Sequence, residues 1–205
     1  MSESHTTQPA ASAGADPQSR LHGLVIPLDP VRTPRLAGGV WLAPGAVVVG
    51  DVVLAEEVSV WYNAVVRGDS DVVRIGPRTN LQDGVVVHTQ KGDPAVIGAD
   101  VSVGHNATIH GATIEAGCLV GMGATVLSGA TVGAGALIAA GALVPQGVSV
   151  PAHSLFAGVP GRVIRELRPE ERAGVRDNAA NYLQYTEHHA EATREHRREN
   201  RDGGD

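Results

Sequence analysis

From Ala43 to Val144 a small or aliphatic residue recurs about every six positions, and that period leaves few folds open. The row runs Ala43, Val49, Ala55, Trp61, a polar Arg67, then Ile75, Leu81, Val87, Ile97, Val103, Ile109, Ile114 and onward in sixes to Val144. A Gly, Ala or acid often follows the row residue, as in Val103-Gly104 and Val132-Gly133. Short flat faces, three to a triangular coil, produce such a period when each face turns one residue inward. The pattern predicts an all-β solenoid of hexapeptide repeats. Steps longer than six, from Arg67 to Ile75 and from Val87 to Ile97, are expected to bulge from corners as loops.

Composition agrees with a narrow coil. Apolar residues make up 42% of the 205 but aromatics only 3%, and of 26 glycines 21 fall between Gly38 and Gly161. Stacked Val, Ile, Leu and Ala fill such an interior, and Gly serves its tight corners. A net charge of -6 and a single lysine, Lys91, exclude a nucleic-acid footprint. The lone Cys118 leaves no internal disulfide and no cysteine zinc cluster; it is expected to fill the coil. Neither an apolar run of membrane-spanning length nor a signal peptide stands out, so a soluble, cytoplasmic protein without membrane partners is expected.

Three parts follow from the pattern. Residues 1–19 read as a disordered tail of Ser, Thr, Ala, Gly and Gln. Residues 20–164 form the β-helix domain, with Leu24-Val25-Ile26-Pro27 placed to cover its first open edge. Residues 165–205 form a C-terminal helix and charged tail. Pro169-Glu170-Glu171 suits a helix start, and Val175, Ala179, Tyr182 and Thr186 share one face. The end is expected to fray after about Glu195.

The lattice also places histidines. His88 follows Val87 and His110 follows Ile109, with two whole faces, at Ile97 and Val103, between them. His110 therefore lies one complete coil above His88, at the inter-strand spacing of about 4.8 Å, where two imidazoles can converge on one ion. His105 is two residues past Val103, at a different corner, and is out of reach of that ion within its own chain. In a threefold assembly one chain's His88/His110 edge meets the next chain's His105. Three nitrogen donors with an open position suit catalytic zinc or ferrous iron, so the lattice predicts a homotrimer with shared sites. The remaining histidines, His5, His22, His153, His188, His189 and His196, read as surface or hydrogen-bonded residues.

These residues resemble the γ-class carbonic anhydrases. The likeness spans roughly residues 40–164 and is carried by Arg67-Gly68-Asp69, Arg78-Thr79-Asn80-Leu81-Gln82-Asp83, Val87-His88, Gly104-His105 with His110-Gly111, and Leu119-Val120-Gly121-Met122-Gly123. It implies a homotrimeric left-handed parallel β-helix with Zn2+, or Fe2+, held by His88 and His110 of one chain and His105 of its neighbour. The implied reaction is reversible hydration of CO2 to bicarbonate by a metal-bound hydroxide at the trimer interfaces. Arg67 and Asp69 match the family's interface ion pair, Gln82 the residue orienting the hydroxide, and Asn80 a neighbouring polar group. Tyr182 matches a tyrosine near the metal in the short-loop branch. Asp83 shares the face phase of His105 one coil below and is placed to orient that imidazole.

One departure bears on proton transfer. The family's archaeal prototype, which this chain resembles, carries glutamates beside the position matching Asp69 and in an acidic loop after the first metal histidine. This chain has Ser70 at the first place, and its loop, Thr89 to Ala95, holds Lys91 and Asp93 but no Glu. The competing readings are a hexapeptide acyltransferase or acyl-CoA thioesterase, and a non-catalytic assembly subunit.

Overall fold

The computed structural model describes residues 20–202; the tail expected over residues 1–19 lies outside the described residues. The chain is a parallel β-solenoid of about seven turns followed by one helix. Three rows of inward residues make its core. The first face carries Leu42, Val60, Leu81, Val103, Val120, Ile138 and Phe156 as successive register partners. The second carries Val48, Val66, Val87, Ile109, Val126 and Val144. The third carries Leu54, Ile75, Ile97, Ile114, Val132 and Val150. None of these is more than 2% exposed, and each coil buries its share only against its neighbours.

The early phase of the lattice differs from the sequence reading. Ala43, Val49, Ala55, Trp61 and Arg67 each stand one residue past the inward position, which belongs to Leu42, Val48, Leu54, Val60 and Val66. The reason is burial from outside. Ala43 and Trp61 point away from the coil but are 0% and 5% exposed, because with Trp41 they pack against Ala190 of the terminal helix. A strand apolar on both sides hides which side is inward, and a one-residue slip exchanges the two. From Ile75 onward the phase is as read.

Corners and close approaches explain the glycines. Gly117, Gly123, Gly129, Gly135, Gly141 and Gly147 turn corners at φ between 64° and 71°, a region that costs glycine nothing. After the inward residue a different limit applies: a Cβ on Gly121 would lie 2.5 Å from the Ala140 backbone nitrogen of the next coil.

Both ends are closed. Leu24–Ile26 pairs in parallel with Val47–Val49, and Arg35–Leu36 with Val53–Leu54, so the expected edge cover is a partial first coil. At the far end Ser154–Gly158 and Gly161–Glu166 form an antiparallel hairpin that seats Phe156 over the core. The helix Pro169–Asp202 then runs back along the stack, burying Val175, Ala179, Thr186 and Ala190. It continues past Glu195, where fraying was expected, and Arg197 donates to the His22 carbonyl at 3.1 Å. Among the described residues no helix is long and apolar enough to cross a membrane.

Cys118 fills the coil as expected, fully buried, and burial pushes its thiol up to about 11. The thiolate is the nucleophile, so raising the pKa removes reactivity at neutral pH. Iodoacetamide at about pH 8 should leave the folded protein unmodified and alkylate Cys118 fully in denaturant, as read by mass spectrometry.

Candidate metal centre

His88 and His110 are Cα partners on adjacent coils of the second face, with ring centroids 5.1 Å apart. The corrected phase adds Arg67 to this row, as the register partner of His88 one coil earlier. Asp69 accepts hydrogen bonds from Arg67 and, at 2.9 Å, from Nε2 of His88. Burial works against ionisation of Asp69, but the bonds from His88 and Arg67 outweigh it and hold the carboxyl at about 2. On the other ring, Nδ1 of His110 is 2.8 Å from the hydroxyl of Ser128, which is 5% exposed. Sequence reasoning missed Ser128. Its signal is positional, a buried hydroxyl in the coil above His110, and it is invisible until register is known.

His105 occupies the corner between the first and second faces. Its Nδ1 lies 2.9 Å from Asp83, one coil below, because Val103 pairs with Leu81. The same carboxylate accepts the Tyr62 backbone N–H at 3.2 Å. The Tyr182 hydroxyl is 3.4 Å from Nε2 of His105. Burial, helped by the negative charge of Asp83, raises the Tyr182 pKa, so the phenol stays protonated at neutral pH. Tyr182 also packs edge-on against Trp61 at 5.1 Å, so it is both a packing residue and a neighbour of the imidazole.

Beside this corner runs a buried amide chain. Gln82 donates from Nε2 to Asn80 at 3.1 Å, and Asn80 donates to the Ser102 hydroxyl at 2.9 Å. Gln82, Asn80 and Ser102 are 4%, 1% and 0% exposed. With Nε2 committed to Asn80, the Gln82 amide has one orientation and presents Oε1 as its acceptor.

The nine expected site residues thus fall into two groups at the two ends of the second face. Arg67, Asp69, His88 and His110 make one; Asn80, Gln82, Asp83, His105 and Tyr182 make the other. His105 stands on the turn that leads into the second face and His110 at the far end of the strand Thr108–His110, so the two lie at different corners. Among the described residues no three His, Cys, Asp or Glu of one chain come together to hold a metal. The donor chemistry nevertheless fits zinc or ferrous iron. Imidazole suits both metals; Asp83 and Ser128 engage Nδ1 of His105 and His110 and leave Nε2 to a metal, whereas Asp69 engages Nε2 of His88 and leaves Nδ1.

The family described as Bacterial transferase hexapeptide (six repeats) matches residues 111–146, a stretch containing none of the three histidines. A protein of Methanocaldococcus jannaschii named "Probable carbonic anhydrase" is 57% identical over 152 residues, covering 74% of this chain and 96% of that protein. Gamma carbonic anhydrase 2, mitochondrial, of Arabidopsis thaliana is 39% identical over 165 residues, 78% of this chain and 59% of that protein. Among solved structures, a hexapeptide transferase family protein from Anaplasma phagocytophilum superposes with a TM-score of 0.77 at 34% identity, over 80% of this chain and 96% of that one.

Proposed function

The chain belongs to the γ-class carbonic anhydrase family, and from that premise we propose that it is a lyase catalysing reversible hydration of CO2 to bicarbonate at a metal shared between subunits of a homotrimer. The observation that carries this reading is the split donor set. His88 and His110 stack on one corner while His105, already fixed by Asp83, faces out from another. A second copy that sets its His105 corner against the His88/His110 edge completes three donors. Such a contact joins two different edges and closes as a ring.

The surface between the two corners supports contact with a second copy. Leu24, Ile26 and Val86 point outward on the second face and are 61%, 39% and 38% exposed. An apolar strip of this kind on an ordered sheet suits a protein partner. The Arg67–Asp69 pair stands at the edge of the strip and offers the neighbouring chain a charged lock.

When bound, zinc or ferrous iron supplies the Lewis acidity that makes water a nucleophile near neutral pH. The chain's own groups do the rest. Asp83 accepts the Nδ1 proton of His105 and so keeps the Nε2 lone pair available. The fixed Oε1 of Gln82 accepts a hydrogen bond from the reacting water and aims it. Tyr182 places an O–H donor beside His105. The loop after His88 holds no glutamate, and its Asp93 is bonded by Gln90 at 2.6 Å, so the released proton is handed to buffer. A cytoplasmic location belongs to the same proposal.

A transferase reading draws on the hexapeptide transferase relative of similar shape. It accounts for the coil but has no use for two stacked imidazoles. A chelator separates the two, since acyl transfer on this scaffold would survive metal removal.

Metal analysis and stopped-flow CO2 hydration on one preparation test the proposal. About one zinc or iron per chain is expected from three shared sites in a trimer, with activity lost to a chelator and rising with buffer concentration. Stoichiometric metal with no CO2 hydration at any buffer concentration would refute it. Gln82→Ala should keep its metal and lower kcat by about 10- to 100-fold; an unchanged kcat would remove Gln82 from the reaction.

A further inference from the structure

Asp69 touches His88 from a stretch of backbone that the sheet does not hold. In the strand Val65–Ile75 the register to the coil below passes from Gly68, opposite Gly50, to Val73, opposite Val52. Asp69, Ser70, Asp71 and Val72 therefore bulge opposite the single residue Asp51. Above them Arg67 pairs with His88 and Val73 with Ala95, so the loop after His88 faces the same bulge. A bulge leaves the ladder locally broken and its peptide groups in need of other partners.

Those partners come from two sides. Thr89, directly after His88 and fully buried, accepts the Asp71 N–H at 3.0 Å and donates to the Asp71 carbonyl at 3.2 Å. Gly92 of the same loop donates its N–H to the Asp71 carboxylate at 3.0 Å. From the first coil Arg32 donates to the Asp69 carbonyl at 3.1 Å. Arg32 does not wander, because Asp29 takes its backbone N–H at 2.6 Å and its Nε at 2.7 Å.

We propose that Thr89 and Arg32 are positioning residues that clamp the bulge, fix the Asp69 carboxylate against His88, and so set the affinity of the metal centre. Neither touches the histidines' donor atoms; both act through Asp69. Groups that orient a metal ligand from outside change affinity without changing the ligands. The inference rests on the metal-centre reading above and adds to it two residues, Thr89 and Arg32, that are not among the nine expected site residues.

The test uses full-length protein stripped of metal and titrated with zinc against a chromophoric chelator, with circular dichroism and oligomeric state measured alongside. Thr89→Val keeps the volume and removes both hydroxyl bonds; zinc affinity should fall about tenfold. Thr89→Ser keeps the hydroxyl and should restore affinity to within about twofold of wild type. Arg32→Ala, at an exposed site, should lower affinity in the same direction and covers the case in which the buried Thr89→Val does not fold. Wild-type affinity in folded Arg32→Ala or Thr89→Val overturns the proposal, as does a Thr89→Ser loss equal to that of Thr89→Val. Zinc binding by the wild type without CO2 hydration would sink the carbonic anhydrase reading alone, since the affinity comparison does not use activity. A wild type that takes up no zinc would sink both.

Discussion

Parallel register between successive coils is the constraint on which the rest depends. Each interior row locks its neighbours, because slipping one coil by a residue would turn a buried Val or Ile outward and a polar residue inward. That lock is what makes a chemical group at one position on a face repeat above itself at strand spacing. Ile26, Val49, Arg67, His88 and His110 fall in one outward row for this reason, passing from apolar to cationic to imidazole as the coils rise. The histidine pair is a consequence of core packing rather than of any local motif.

The helix is the second organising element, and it acts on the other corner. By covering Trp41, Ala43 and Trp61 it brings a dense aromatic layer against the first face, in which Tyr62 bonds His189 at 2.8 Å. The same layer seats Tyr182 beside His105. The two half-sites are therefore built differently. One is set by the sheet and a clamped bulge; the other needs the helix in place.

Much of this was legible in the sequence, and the gaps have physical causes. The period, the coil count between Val87 and Ile109, and the exile of His105 to another corner all follow from spacing, because the interior admits one residue size at each step. The pairing of Asp83 with His105 was legible by the same counting. The phase before Ile75 was not, since Trp61 and Ala43 are buried by a helix more than a hundred residues away in sequence. Ser128, Thr89 and Arg32 were equally hidden. Each makes a hydrogen bond whose partner is fixed only once loops and coils are set in three dimensions, and Ser or Thr in a loop carries no mark of that role.

The shared site is tested most directly by mixing two defective chains. His105→Ala retains the His88/His110 edge, and His88→Ala retains His105, so neither variant alone can assemble a complete donor set. Unfolded together in equal amounts and refolded, they should recover about a quarter of wild-type metal content and CO2 hydration, because an intact edge needs one chain of each kind in the right order. No recovery from a mixture that refolds to trimers, or full metal content in either variant by itself, would contradict the account.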